Sequence, residues 1–479
     1  MALGLFTSSF LLHSLGTWQI PLTYADESRF AEATREMRER GDWIVPHFNG
    51  DYRFDKPPLT YWSQAAAFFL LGEGEGPARI HSVISASLLG LVVFGFGSRL
   101  YHPQAGLWAA IMLMTTCSLF VHAKASRPDV LMVLFMTTAS WTGWELARDR
   151  RTSPPYRCLW WWGFWLSLAF AFLAKGPVGW LPLLSLPALA WGESGSHFRR
   201  RFRFPAGLTL MIGVVALWGV PALILTGGQF FEVGIGLHVA HRLTHTMHGM
   251  GPESWQGYLA YLSFYFITVF FSLAPWSVGL PWLARNLWRE RCILPVERWL
   301  LTTIGSVFLI FTFSSTKLPL YIMPAFPLLL LLLAGRWLKA HRVGRTPVIT
   351  ISLTALAMVA ISLFLTYHIP SKMLNRDIMR RLSPHLDPKS EFATVPIAET
   401  SQDHLVWYFR SHVSGFRHEV SPDQLRHFMN RPGPRFCVIP EAVADEHLAE
   451  LPSEWVRLEV TIPLQEKDKE ELRLVVIAN

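Results

Sequence analysis

The chain has 479 residues, of which 51% are hydrophobic and only 16% charged. Soluble domains carry about 25% charged residues, so an ordinary soluble protein is excluded. The formal net charge of +8 gathers in short loops between apolar stretches, which argues against nucleic acid as the partner.

Apolar runs of about 20 residues recur along the chain, the length that a bilayer core of roughly 30 Å requires. Eleven candidate spans fall at 2–20, 78–99, 104–122, 128–147, 158–174, 177–191, 205–226, 257–280, 299–314, 318–334 and 347–368. The first has no A-x-A-like cleavage site and is read as a span rather than a removed signal peptide. Between it and the second lies the segment 21–77. There, a helix over 26–40 is expected, with Asp26 able to cap its start and Gly41 able to end it. Phe30, Ala33, Thr34 and Met37 would share one of its faces. A second helix, about 59–71, is apolar but too short to cross, so it is expected at the membrane interface. Further on, Trp160, Trp161 and Trp162 mark a span end at headgroup level. Lys175-Gly176-Pro177 separates spans five and six, which can also be one broken unit. The four cysteines (Cys117, Cys158, Cys292, Cys437) show no C-x-x-C, no metal spacing and no disulfide framework.

Lys and Arg in short loops set orientation. Clusters around 148–157, 199–203, 285–298 and 336–345 all fall on one face in the eleven-span count, and that face is expected to be cytoplasmic. The opposite face carries 21–77, the turn at 123–127, the break at 175–177, the loop 227–256 and the turn at 314–317. The tail, 369–479, also lies on that outer side. Its strand-like runs Phe436–Ile439, Val456–Val460 and Leu472–Ile477 point to a small α/β domain.

Six places on the outer face hold chemically useful groups. Asp26 and Glu27 form an acidic pair at a membrane edge, and acids at a helix start also suit its dipole. Asp55-Lys56 before Pro57-Pro58 can bind phosphate or be a plain ion pair. Arg127-Pro128-Asp129 leads into span four, where a charged pair faces a cavity or a partner. Lys175 stands between spans five and six. The loop with His238, His241, Arg242, His245 and His248 can hold a metal or an anionic head group, or be solvated. Lys317, followed by Tyr321, opens span ten. Together they suit a phosphate-linked lipid: apolar walls for the tail, cations for the phosphate, and a carboxylate as general base for an attacking hydroxyl. No soluble nucleotide is available outside the cytoplasm, so no nucleotide cofactor is expected.

The run Ala25-Asp26-Glu27-Ser28-Arg29-Phe30-Ala31-Glu32, then Gly41-Asp42-Trp43-Ile44-Val45-Pro46 with Asn49-Gly50, then Phe54-Asp55-Lys56-Pro57-Pro58 and Tyr61-Trp62, resembles the bacterial lipid A aminoarabinose transferase family. Those enzymes share the GT-C membrane fold with protein O-mannosyltransferases. Arg127-Pro128-Asp129, Leu173-Ala174-Lys175-Gly176-Pro177 and Ser315-Thr316-Lys317-Leu318-Pro319 extend the resemblance over roughly residues 20–335. It implies an undecaprenyl-phosphate sugar donor and a periplasmic site in a bacterial inner membrane. By position it implies Asp26 as the catalytic acid of the first outer loop, with Glu27 beside it, and Asp129 as a second acid. Lys56 and Arg242 are implied as phosphate contacts, and Lys175 and Lys317, cations on the same face, are expected to handle phosphate with them. Asp55 and His238 are the implied positions for a divalent metal, with His241 the alternative to His238. The family has Glu where this chain has Asp55, one methylene shorter.

The expectation is therefore an all-α polytopic helix bundle of GT-C type, with about 11 to 13 spans over 1–368 and a small α/β domain over 369–479. It would be an inverting glycosyltransferase that moves a polyprenyl-phosphate-linked sugar onto lipid A or a related glycolipid. Transfer to secreted proteins, a lipid-sugar transporter and a non-catalytic scaffold are the alternatives. A transporter needs charges spread through the bilayer depth, whereas these lie on one face.

Overall fold

The structure, a computed structural model, describes residues 1–22, 25–149, 158–190, 195–241, 255–290, 293–340, 345–368, 389–395, 402–409, 415–417, 420–440, 456–463 and 471–478. The chain begins with α1 (Ala2–Ser14), α2 (Ala25–Arg40), the strands β1 (His47–Phe48) and β2 (Asp51–Tyr52), and α3 (Leu59–Leu71). There follow α4 (Glu75–Leu100), α5 (Pro103–Met114), α6 (Cys117–Ala123), α7 (Asp129–Arg148) and α8 (Leu159–Lys175). Two compact units result. The first is Met1–Trp18, Asp42–Val45 and Arg53–Phe364; the second is Gln19–Gly41, Pro46–Tyr52 and Leu365–Asn479.

The first unit is a helix bundle, and each expected span falls on helix. Five helices are long and apolar enough to cross a membrane: Glu75–Leu100, His197–Leu225, Pro295–Phe313, Pro319–Ala340 and Val348–His368. Two bent pairs raise the count to as many as seven among the described residues. This is a multi-pass membrane protein. Of the remaining expected spans, 128–147 is the continuous 20-residue α7, and the others are shorter or broken, as at Pro177–Ala190, where a 3-10 stretch replaces the α-helix. Only 17% of the apolar window of His197–Leu225 and 11% of that of Val348–His368 is buried. Apolar helices with so much free surface belong against lipid. The helix α3 has the expected bounds, and its last residues, Phe69, Leu70 and Leu71, are exposed, as an interfacial helix requires.

Between α4 and α5 the backbones nearly touch. A Cβ on Gly97 would meet the Gly106 Cα at 2.6 Å, and one on Gly106 would meet the Phe94 carbonyl at 2.3 Å. Small residues allow this approach where lipid gives helices no hydrophobic reason to associate. At the basic-loop end, Arg336 donates to both oxygens of Glu297, at 2.6 and 2.5 Å, and to Glu290 at 2.7 Å. Arg201 likewise sits 3.7 Å from Asp149, both nearly buried. Two of the arginines that set the expected orientation thus also tie helices together.

The second unit does not begin at 369. It also takes in α2 and the β1–β2 hairpin, because α2 packs against the tail helix Gln402–Phe409. The hairpin turns at Asn49 and Gly50, with φ of 53° and 92°, the left-handed pair that Asn-Gly favours. Its sheet orders as β4 (Gly415–Arg417), β3 (Glu391–Thr394), β5 (Arg435–Pro440), β7 (Glu471–Ala478) and β6 (Val456–Pro463). The first two pairings are parallel and the last two antiparallel. The helix Pro422–Met429 joins β4 to β5 and buries Leu425, Phe428 and Met429 with Ala393, Cys437 and Ile439.

Candidate active site

Within the first unit, Asp129 opens α7 and Lys175 closes α8, and the two helices pack along their lengths. An acid at a helix N-terminus and a cation at a C-terminus each suit the local dipole. The two side chains form an ion pair, only 5% and 13% exposed. The ring of Tyr321 lies 5.6 Å from the Lys175 ammonium. The turn before α7 is held from behind. Gln64 donates to Ser126 Oγ and to the Ala78 carbonyl, and Ser82 Oγ donates to the Arg127 carbonyl at 3.2 Å.

The Asp55-Lys56 loop is also built around a carboxylate. Lys56 Nζ donates to Asp55 Oδ1 at 2.5 Å, and Arg53 Nη2 donates to Oδ2 at 3.0 Å. Arg53 Nε reaches the Tyr61 hydroxyl at 3.1 Å, which fixes the guanidinium. Two cations on one carboxylate leave the loop positive, ready for an anion. Arg53 was not singled out from the sequence, although the spacing Arg53-x-Asp55-Lys56 carries that signal. Phe54 of this loop, Leu59 at the start of α3, and Phe172 and Leu173 of α8 pack around one apolar cluster with Trp218 and Phe230. Trp218 Nε1 also donates to the Ile44 carbonyl at 2.9 Å. The cationic loop and the Lys175 end of α8 therefore share an apolar footing.

Both Asp55 oxygens accept from cations, so a metal there would have to displace Arg53 or Lys56. Among the described residues no group of three His, Cys, Asp or Glu could hold a metal ion. His238 lies in the helical turn Glu232–His241, and its side chain is outside the described residues, as is the whole of Arg242. Among the described residues, Asp55 is thus engaged by Arg53 and Lys56 rather than grouped with other metal-ligating side chains.

Lys317 is placed differently from the expectation. Its ammonium donates to the carbonyls of Phe311, Thr312 and Ser314, at 3.3, 2.6 and 2.8 Å. It thus caps the end of the helix Pro295–Phe313, whose last carbonyls have no partner within the helix. Its charge faces helix carbonyls. Burial pushes its pKa below the ordinary lysine value.

Lys124, which the sequence reading passed over, does the same for α1. It donates to the carbonyls of Leu12, His13 and Leu15, at 3.2, 3.2 and 2.6 Å. Burial, with Arg79 nearby, pushes its pKa down to about 7. Below that value both folded and unfolded chains carry the proton; between it and lysine's ordinary value only the unfolded chain does. The contribution of Lys124 to stability should therefore grow as pH rises above about 7. Thermal unfolding in detergent checks this: the gap between wild type and Lys124→Met should widen from neutral to alkaline pH. A constant or narrowing gap would contradict it.

Asp26 and Glu27 belong to the second unit. Asp26 sits in the first turn of α2 rather than at its cap. It is half-exposed, with Arg29 at 3.8 Å, whereas Glu27 is buried. Phe30, Ala33, Thr34 and Met37 are buried as expected. The other faces of α2 are covered too: Glu32, Arg35 and Glu36 are all buried, which no amphipathic pattern would announce.

Residues 55–219 match the family described as dolichyl-phosphate-mannose-protein mannosyltransferase. An undecaprenyl phosphate-alpha-4-amino-4-deoxy-L-arabinose arabinosyl transferase from Pectobacterium atrosepticum is 29% identical over 348 residues, covering 72% of this chain and 59% of that protein. The chain matches a little over half the length of such arabinosyl transferases. The crystal structure of ArnT from Cupriavidus metallidurans bound to undecaprenyl phosphate superposes with a TM-score of 0.80 at 18% identity, covering 99% of this chain and 97% of that one. The apo oligosaccharyltransferase of Archaeoglobus fulgidus superposes with a TM-score of 0.52 at 13% identity, covering 96% of this chain and 69% of that one. The outer-face motif block, the helix bundle and these likenesses agree: the chain shares the fold of ArnT and is similar in sequence to the aminoarabinose transferases.

Proposed function

We propose that the chain moves a sugar from undecaprenyl phosphate onto lipid A or a related glycolipid, on the periplasmic side of a bacterial inner membrane. The observation that carries this is the pairing of Asp55 with Lys56 and Arg53 on the apolar cluster that also anchors the Lys175 end of α8. Cations beside apolar walls suit a phosphate that ends a long hydrocarbon tail. The arabinosyl transferase relatives and the undecaprenyl-phosphate complex of ArnT support the same donor.

In the proposed reaction an acceptor oxygen attacks the anomeric carbon from the face opposite the phosphate. The new C–O bond forms as the C–O bond to phosphate breaks. The phosphate leaves with that electron pair, and the configuration inverts. Lys56 and Arg53 stabilise the charge developing on the departing phosphate. Asp26, half-exposed, takes the acceptor proton or orients the acceptor. Glu27 is buried and supports that end of α2. Asp129 is held by Lys175, so it shapes the site and fixes the Lys175 ammonium rather than serving as the base.

Lys56→Ala should weaken the hold on donor phosphate. A charge-assisted hydrogen bond is worth about 1.5–3 kcal/mol, so KM for the lipid-linked sugar should rise roughly 10- to 100-fold. Steady-state kinetics in detergent would check it, and an unchanged KM would remove Lys56 from the donor site. The match of residues 55–219 to the protein mannosyltransferase description favours a second reading, transfer to secreted proteins. Mass spectra of periplasmic proteins and of lipid A, read side by side, separate the two.

A further inference from the structure

We infer that the tail domain is a positioning device: through Trp407 and Tyr408 the helix Gln402–Phe409 holds α2, and so sets where Asp26 lies. The inference rests on the proposed role of Asp26. The helix α2 is too polar to be placed by hydrophobic burial alone, since Glu27, Ser28, Glu32, Thr34, Arg35 and Glu36 are all buried. Buried polar groups take their positions from directed bonds, and three such attachments stand out among the described residues. Ahead of the helix, the Leu22 N–H donates to the Tyr408 hydroxyl at 3.0 Å. In its middle, Arg35 pairs with Glu32, donates to the Trp407 carbonyl at 2.8 Å and lies 4.5 Å over the Trp407 ring. Near its end, Glu36 accepts the N–H groups of Asn49 and Gly50 in the hairpin turn.

Asp26 and Arg35 are nine residues apart, about 13 Å along a helix. If α2 tilts by about 5° at Arg35, the Asp26 end moves by roughly 1 Å. A displacement of that size in a reacting group costs on the order of 100-fold in rate. Trp407 and Tyr408 are therefore positioning residues. They act through α2 and do not themselves meet substrate.

Three full-length variants test this beside wild type and Asp26→Asn. Trp407→Ala removes the ring under Arg35, Trp407→Phe keeps an aromatic face, and Tyr408→Phe removes one acceptor and no bulk. Turnover by Trp407→Ala should fall roughly 10- to 100-fold, with KM for the donor within about threefold of wild type. Trp407→Phe should recover most of the turnover. Tyr408→Phe should fall in the same direction by less, and it carries the test if Trp407→Ala does not fold. Hydrogen exchange supplies a readout independent of activity: the α2 amides should exchange faster in Trp407→Ala while those of β5 and β7 keep their protection. Wild-type turnover in Trp407→Ala and Tyr408→Phe, with Asp26→Asn inactive, would overturn the inference. If Asp26→Asn stays active, the site reading itself falls. Unchanged α2 exchange in Trp407→Ala would overturn the clasp whatever the activities.

Discussion

Lys175→Met should destabilise the protein by about 3–5 kcal/mol and abolish transfer, because it leaves the Asp129 carboxylate buried without its cation. The cost comes from the uncompensated charge more than from the lost pair. The double variant Asp129→Asn with Lys175→Met removes both charges and should regain much of the stability. It should not regain transfer if the pair serves the site. Thermal unfolding in detergent reads the first part and donor turnover the second. A double variant as active as wild type would reduce the pair to a structural tie between α7 and α8.

The second large effect is expected at Asp26. Asp26→Asn keeps the size and most of the polarity of a half-exposed residue, so stability should change by no more than about 0.5 kcal/mol. General-base catalysis contributes about 100- to 10,000-fold, and transfer should fall by that order while donor KM changes little. A group whose removal lowers turnover alone acts in the transition state; one that raises KM alone acts in binding. If Asp26→Asn instead raised KM with unchanged turnover, Asp26 would be a binding residue and the base would lie elsewhere.

Much of the fold was legible because a bilayer leaves strong marks in a sequence. The short apolar helix Leu59–Leu71 and the β-strand Arg435–Pro440 fall where length and pattern place them. The breaks were less visible. Pro177–Ser185 is apolar enough to be read as an ordinary span, yet its backbone winds as a 3-10 helix. Lys317 illustrates a second limit. A lysine that caps a helix and a lysine that waits for a phosphate look alike in sequence, and only the three carbonyls around its ammonium separate them. Arg53 was missed for the converse reason, since it lies two residues from Asp55 in a loop with no periodicity to read. The allegiance of α2 to the tail rests on Arg35 meeting Trp407, 372 residues away, and no local pattern announces a contact of that range.

The central claim is that this chain transfers a lipid-linked sugar, and the most direct measurement is made in membranes of a strain lacking the protein. That strain is complemented with wild type or with Asp26→Asn, both confirmed in the membrane at equal amount, and mass spectra of lipid A and of periplasmic proteins are compared. The expected result is a sugar mass on lipid A that appears only with wild type. The same spectrum for both proteins, with no added sugar in either fraction, would contradict the account.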